Sequence, residues 1–260
     1  MSANNYALLI GSNYMSTPNI RLNGCINDIV NIRNMLTDAY NYPMHNIVML
    51  RDDSTNPALL PTYANIMSAL MELVVKSTTS SQIWFHYSGH GIQYADPSAN
   101  IIEKGLGDCI VPCDYMTAGF ITQETLYKII SEVKCATIIT IDACHSGSIC
   151  DLEWSFLFVD ADKYTRTQCK PGVDLSNTNI YMISACRDAE TSADAFDSEA
   201  QIPMGAFTDA LITCLRSSGH NIPLIMLYKE ICIYLQEAGF LQVPVLSSSS
   251  KDLTANFTRL

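Results

Sequence analysis

The chain has 260 residues, of which 48% are hydrophobic and 16% are charged. This composition is typical of a packed globular protein and excludes a disordered chain. The formal net charge of −11 argues against a surface that neutralises phosphates, and therefore against a nucleic-acid partner. An acidic surface attracts basic partners, so we expect a basic peptide or protein substrate rather than nucleic acid or an anionic membrane.

Cysteine usage and the first residues of the chain bear on the cellular compartment. Ten cysteines in 260 residues are too dilute for a small disulfide-stabilised scaffold, and their spacing matches no zinc site. The first residues lack the basic and apolar regions of a signal peptide. No apolar run reaches the roughly 20 residues of a membrane-spanning helix. We therefore expect a cytoplasmic protein with free thiols.

Strand-like and helix-like segments alternate along the first 150 residues. Five apolar runs that are bounded by turn residues predict strands. These cover residues 6–10, 47–50, 83–87, 109–112 and 136–141. Apolar residues at near-helical spacing predict three helices between the strands. These cover residues 26–36, 61–75 and 122–133.

The pattern changes after Cys150, where a polar stretch begins. We interpret residues from about 151 to 178 as a flexible insertion. Beyond it, residues 180–184 predict a strand, and residues 207–215 and 225–238 predict helices. The alternation of strands with helices indicates one α/β domain, with a mainly parallel β-sheet sandwiched between α-helices.

Two of the predicted strand ends carry residues that can do nucleophilic chemistry. His90 follows the strand at 83–87 between two glycines, and Cys144 follows the strand at 136–141. Ligands of parallel sheets collect at the carboxyl ends of the strands. If these strands are neighbours, the imidazole faces the thiol. A thiol needs such a base to form a thiolate near neutral pH.

Structural roles for these residues are the alternative, because cysteine is among the most buried residue types. Two other histidines compete with His90 as the partner of Cys144. His86 lies within a predicted strand, which favours packing in the core. His145 follows the thiol directly, and adjacent side chains seldom point at the same atom.

The motifs around both strand ends resemble those of the metacaspases, caspase-like cysteine peptidases of clan CD. They read Ser88-Gly89-His90-Gly91 and Asp142-Ala143-Cys144-His145-Ser146-Gly147. Five further segments follow in the order of that family. They cover residues 7–11, 22–28, 191–194, 205–208 and 242–249. The resemblance thus extends over nearly the whole chain.

The resemblance implies a caspase-like peptidase domain over residues 1–260, similar to a minimal type I catalytic core without a prodomain. Residues 1–150 would be the p20-like part and residues 179–260 the p10-like part. Cys144 would attack the scissile carbonyl, and His90 would move the proton. The backbone amides of Gly91 and Cys144 would hold the oxyanion. We expect a monomer, as is usual in the family.

Cleavage after Arg or Lys is also implied by the resemblance. Asp28 and Asp142 match the acidic residues of the family's primary specificity pocket, and Cys25 and Ser88 match other residues of that pocket. Carboxylates suit a guanidinium or an ammonium group. For Asp28 the alternative is a first-turn helix residue, and for Asp142 a hydrogen bond within a tight turn. For Cys25 the alternative is a packing role in the core, and for Ser88 a hydrogen bond within a turn.

Many metacaspases need calcium, so a calcium activator is a further implication of the resemblance. Asp151 matches one of the family's ligands, and Glu124 is a second candidate. The usual aspartate pair at this place is replaced by Gln123-Glu124, which removes one formal charge. Asp96 or Glu103 could contribute, although their loop has no clear match. Because calcium affinity follows the number of carboxylates, we expect binding to be weakened or lost.

Self-cleavage within the insertion is another hypothesis. The three basic residues that we consider as sites are Lys163, Arg166 and Lys170. Three other functions compete with that of a basic-specific peptidase. A catalytically silent caspase-fold scaffold would have no need for the dyad and the carboxylates, and cleavage after Asp would require basic pocket residues. A nucleotide-binding protein would need a glycine-rich phosphate loop after the first strand, which is absent from the sequence.

Overall fold

The computed structural model describes residues 4–78, 82–95, 106–147, 149–150, 152–160, 163–169, 175, 179–185, 194–197 and 202–253. Its helices are α1 (Cys25–Asp38), α2 (Tyr63–Lys76), α3 (Tyr115–Ala118), α4 (Gln123–Ile130), α5 (Ala206–Ser217) and α6 (Leu224–Glu237). Short 3-10 helices cover Pro18–Ile20, Met44–Asn46 and Pro57–Leu59.

The strands fall into one large sheet and two small ones. The large sheet contains β1 (Tyr6–Gly11), β2 (Ile47–Arg51), β3 (Gln82–Ser88), β7 (Ala136–Asp142), β8 (Trp154–Asp160), β9 (Lys163–Gln168), β10 (Ile180–Ser184) and β13 (Val245–Ser248). The small sheets contain β4 (Gly91–Ala95), β5 (Leu106–Ile110) and β6 (Ile121–Thr122), and β11 (Asp194–Asp197) with β12 (Ile202–Gly205).

The large sheet has the order β2-β1-β3-β7-β10-β13-β8-β9. Its first five strands are parallel, whereas β13, β8 and β9 join by antiparallel pairing. The α/β class and the helix layers are confirmed. The sheet is mixed, with four parallel and three antiparallel pairings, and the three strands that pair antiparallel at one edge were not predicted.

Alternate residues of each parallel strand face opposite helix layers. On β1, Ala7 and Leu9 belong to a buried cluster with α1, α5 and α6. Leu8 and Ile10 belong to a second buried cluster with α2 and α4. Side chains of a strand point alternately to its two faces. Because both faces are covered, the parallel strands are continuous apolar runs, and the sequence predicts them well.

The stretch that we interpreted as a flexible insertion contains β8 and β9. Every side chain of β9 is exposed, so this edge strand has no apolar alternation that a sequence pattern could reveal. Only part of residues 151–178 lies in the described ranges. Among the described residues, no helix combines the length and apolar character that a bilayer crossing requires. No two of the nine cysteines in these ranges form a disulfide with each other.

His86 lies inside the sheet on β3, as expected, and is 0% exposed. Its Nδ1 atom is 2.8 Å from the Thr140 hydroxyl oxygen, to which the Trp84 indole N–H also donates. Its Nε2 atom has no hydrogen-bond partner among the described residues. Burial lowers the pKa of His86 from 6.5 to about 3, so the folded protein holds this side chain neutral near pH 7.

We expect His86 to weaken the fold as the pH falls from about 6.5 towards 3. The unfolded chain takes up a proton at His86 in this range while the folded chain does not, so stability decreases with decreasing pH. Replacing His86 with Gln should make the dependence of the unfolding free energy on pH shallower, by up to about 1.4 kcal/mol per pH unit. Urea titrations between pH 4 and pH 8 measure this slope.

The matched control is His45→Gln, which changes an exposed histidine in the same way. Its slope should follow that of the wild type. A wild-type slope in His86→Gln would contradict the assignment of a neutral buried imidazole.

Candidate active site

The ends of β3 and β7, which His90 and Cys144 follow, lie side by side. β3 pairs with β7 in parallel, and Ser88 is in register with Asp142. His90 and Cys144 each follow two residues later, and both are partly exposed. A Cβ atom at Gly91 would overlap the carbonyl oxygen of Cys144. The backbones of the two motifs are therefore in direct contact, and only glycine fits at position 91.

A carbonyl group holds the ring of His90. The Nε2 atom is 2.7 Å from the carbonyl oxygen of Ile20. Because a carbonyl oxygen only accepts hydrogen bonds, Nε2 carries the proton in this contact. A neutral imidazole then has its lone pair on Nδ1, which can accept a proton. No sequence pattern predicts this contact, because any residue at position 20 would offer the same backbone oxygen.

The chain turns sharply after the thiol. His145 has a φ of 48°, in the left-handed region, which costs an L-residue roughly 1–2 kcal/mol. Such strain is often found at functional sites, where the surroundings maintain it. The turn directs the chain away from β7 directly after Cys144, as the local sequence of small and polar residues predicts.

The two predicted pocket carboxylates converge on the start of α5. Asp28 accepts the N–H of Gly205 at 2.9 Å. Asp142 accepts both the N–H of Thr208 at 2.9 Å and its hydroxyl at 2.8 Å. A Cβ atom at Gly205 would overlap Oδ2 of Asp142 and stand 3.0 Å from Oδ2 of Asp28. Gly205 therefore lies between two carboxylates that are far apart in sequence.

Ser88 and Cys25, the other two predicted pocket residues, lie on β3 and α1. The Ser88 hydroxyl donates to Oδ2 of Asp28 at 2.5 Å, so this side chain contacts one of the two predicted pocket carboxylates. Cys25 begins α1 three residues before Asp28 and is 4% exposed. The N–H of Cys25 donates to the side chain of Asn13.

The residues considered for calcium are only partly in the described ranges. The side-chain oxygen of Gln123 accepts the N–H of Asp108 at 2.8 Å. Oε2 of Glu124 accepts the Tyr94 hydroxyl, also at 2.8 Å. No group of three or more His, Cys, Asp or Glu side chains within these ranges has the geometry of a metal site. Asp151, Asp96 and Glu103 lie outside the described residues.

Two candidates for self-cleavage lie in a strand. Lys163 and Arg166 belong to β9, which pairs with β8, and both are exposed. Arg166 also lies over the ring of Trp154. A peptidase needs its substrate in an extended and detached form, so cleavage at either residue would require β9 to leave the sheet. Lys170 lies outside the described residues, and the hypothesis stays a prediction.

Three contacts at the site were missed from the sequence. They are the Ile20 carbonyl, the Tyr14 and Tyr87 hydroxyls that bind the backbone of His90, and the contacts of Gly205 and Thr208. The segment from Gly205 to Thr208 was noted as a motif without a role. The available signal was Gly205, which directly precedes an apolar helix. A backbone segment that approaches other groups closely often requires a residue without Cβ.

Comparison with known proteins agrees with the motifs. A model of the metacaspase, peptidase C14 domain matches residues 5–153. Metacaspase-1 of Kluyveromyces lactis is 41% identical over 153 residues, which make up 58% of this chain and 35% of that protein. Metacaspase-1B of Neosartorya fischeri is 32% identical over 289 residues, covering 94% of this chain and 68% of that protein.

Metacaspase-1B of Aspergillus niger is 31% identical, and the alignment covers 94% of this chain and 64% of that protein. The chain therefore spans between about one third and two thirds of the length of these relatives.

Solved structures share the fold at low sequence identity. Caspase-1 from Spodoptera frugiperda has a TM-score of 0.61 and 10% identity, with 97% of this chain and 91% of that chain covered. A protein from Geobacter sulfurreducens has a TM-score of 0.67 and 18% identity, with 99% of both chains covered. With the family model, the relatives and the caspase fold in agreement, this chain belongs to the metacaspases, a family of cysteine peptidases.

Proposed function

We propose that this protein is a cysteine endopeptidase that hydrolyses peptide bonds after Arg or Lys, with Cys144 as nucleophile and His90 as general base. The observation that carries the proposal is the convergence of two buried carboxylates, Asp28 and Asp142, beside the strand ends that hold the dyad. The family supplies the reaction class.

The proposed reaction begins with proton transfer from the Cys144 thiol to Nδ1 of His90. The Ile20 carbonyl supports this role, because it accepts the Nε2 proton and stabilises the imidazolium that forms. The thiolate attacks the scissile carbonyl carbon, and backbone amides of Gly91 and Cys144 stabilise the oxyanion. The imidazolium then protonates the leaving amine. Water hydrolyses the thioester, with His90 again accepting the proton.

The proposed specificity follows from the charge of the pocket. Asp28 and Asp142 are 0% and 5% exposed, so a cationic side chain that reaches them leaves most of its water behind. A desolvated guanidinium or ammonium group requires a carboxylate partner. The N–H and O–H groups of Gly205, Thr208 and Ser88 orient the two carboxylates for this contact. An aspartate substrate side chain would be repelled.

Replacing Cys144 with Ala should abolish cleavage of fluorogenic peptides that end in Arg or Lys. We expect kcat/KM to fall by at least about 1000-fold, because the nucleophile and its base act as a unit. His90→Ala should have the same effect. Cys169→Ala is the matched control, since it removes an exposed thiol and should retain wild-type activity. If the folded wild type cleaves no peptide, even with calcium present, a silent scaffold is the better reading.

Replacing Asp28 or Asp142 with Asn should selectively weaken cleavage after Arg and Lys. Removing one partner of a desolvated charge pair costs about 2–5 kcal/mol, which corresponds to a fall in kcat/KM of about 30-fold or more. Asp38→Asn is the control, because it changes an exposed carboxylate on the same helix. Alkylation of Cys144 by iodoacetamide should keep its rate in all three variants. Unchanged kcat/KM for Arg peptides in both pocket variants would refute the acidic pocket.

We also propose that calcium is bound weakly or not at all. An amide stands at position 123 where the family has an acid, and the oxygens of Gln123 and Glu124 already accept hydrogen bonds from Asp108 and Tyr94. Fewer carboxylates mean lower affinity for a hard cation. Peptidase activity should therefore stay flat as calcium is raised from zero to millimolar concentrations. Sharp activation in this titration would show that the site is retained.

A further inference from the structure

The segment between β1 and α1, residues 12–24, contacts His90 at three points. We call it the β1–α1 loop. Its Ile20 carbonyl accepts the Nε2 proton. Its Tyr14 hydroxyl accepts the backbone N–H of His90 at 3.0 Å. The rings of Tyr14 and His90 also pack together, with centroids 4.7 Å apart. The position of His90 thus depends on the conformation of a segment that is distant in sequence. Ile20, for example, is separated from His90 by 70 positions.

The Tyr14 hydroxyl acts both as a donor and as an acceptor. It donates to the Val111 carbonyl at 2.7 Å while it accepts the His90 N–H. The Tyr87 hydroxyl donates to the carbonyl of His90, also at 2.7 Å. Tyr14 is 2% exposed, and burial raises the pKa of its hydroxyl well above the ordinary value. Both backbone polar groups of His90 are therefore bound by protonated, buried tyrosine hydroxyls.

The backbone at Tyr14 is strained. Its φ is 53°, in the left-handed region that an aromatic residue rarely adopts. Such a conformation persists only where the surroundings impose it. The amides on both sides of Tyr14 are held by one carboxylate, since Asn13 N–H donates to Oδ1 of Asp52 and Met15 N–H donates to Oδ2, each at 2.9 Å.

Asp52 directly follows β2, two strands away from β3 in the sheet order β2-β1-β3. We propose that Asp52 is a positioning residue for His90, which holds the β1–α1 loop in the conformation that brings Tyr14 and Ile20 against the general base. The inference rests on the proposed function for its catalytic consequence. Asp52 acts through Tyr14. Its carboxylate accepts hydrogen bonds from the amides of Asn13 and Met15, and these two bonds fix the left-handed turn.

The neighbouring residue provides a matched control. Asp53 carries the same charge one position further, but its carboxylate pairs with the partly exposed guanidinium of Arg51. Among the hydrogen bonds of the described residues, Asp53 has none to the loop. Asp52→Asn and Asp53→Asn each remove one negative charge from the same turn. Only Asp52→Asn affects a carboxylate oxygen that accepts an N–H of the β1–α1 loop. The NH2 group that takes its place cannot accept a hydrogen bond.

The experiment compares the wild type with Asp52→Asn, Tyr14→Phe and Asp53→Asn in steady-state cleavage of a peptide that the wild type cuts. We expect kcat to fall at least about tenfold in the first two variants, because small displacements of a catalytic group are costly. KM should stay within about twofold, since the pocket carboxylates are held separately by Gly205 and Thr208. Asp53→Asn should behave as the wild type.

A second measurement does not depend on turnover. In 15N NMR of the histidine rings, with His90 assigned through His90→Gln, the wild type should show Nε2 protonated and Nδ1 unprotonated. In Asp52→Asn the two nitrogen shifts should approach each other as the tautomers mix. If the wild type cuts no peptide, the proposed function fails, and this measurement alone still decides whether Asp52 positions His90.

Three results would overturn the proposal. One is a folded Asp52→Asn protein with wild-type kcat and an unchanged tautomer. Another is an equal loss of kcat in Asp52→Asn and Asp53→Asn, which would indicate an effect of charge alone. The third is a loss that matches the unfolded fraction in a thermal melt. Should Asp52→Asn fail to fold, Tyr14→Phe decides, because wild-type kcat without that hydroxyl contradicts the route from Asp52 to His90.

Discussion

The parallel pairing of β3 with β7 is the constraint on which the site depends. It sets Ser88 beside Asp142 and so brings the imidazole-bearing and thiol-bearing turns to one edge of the sheet. A shift of β3 by one residue along β7 would turn Ser88 towards the opposite helix layer. The buried apolar residues on both faces of these strands oppose such a shift, because it would place them against the wrong cluster. The packing of the core therefore determines the geometry of the chemistry.

Strands that follow a repeated sequence pattern were predictable, whereas strands that depend on pairing with segments distant in sequence were not. The parallel strands were found because they are buried on both faces and consist of apolar runs. β9 was missed because its polar side chains are all exposed. β13 was missed because Ser247 and Ser248 shorten its apolar run to two residues, although both serines are buried in a strand that pairs with β10 and β8. Long-range pairing overrides local propensity at such positions.

The candidate site likewise contains residues that the sequence indicates and contacts that it does not. His90, Cys144, Asp28 and Asp142 stand out because few side chains can do their chemistry, and because they follow strands or lie in motifs. The Ile20 carbonyl is available to every sequence, so only the folded chain shows that it meets the His90 ring. The left-handed turn at Tyr14 was equally hidden. Its cause is a carboxylate 38 residues further along, as the separations of 37 and 39 in its two hydrogen bonds show.

The two parts of the chain on either side of residues 151–178 complete each other at the carboxylates. Asp28 and Asp142 belong to the first part, and the donors that satisfy them at Gly205 and Thr208 belong to the second. A buried carboxylate without hydrogen bonds is costly, so the burial of Asp28 and Asp142 requires donors such as those that Gly205 and Thr208 supply. Docking of the start of α5 both removes that cost and orients the carboxylates. The same contacts therefore join the two parts and shape the proposed specificity pocket, and a side chain at position 205 would disturb both at once.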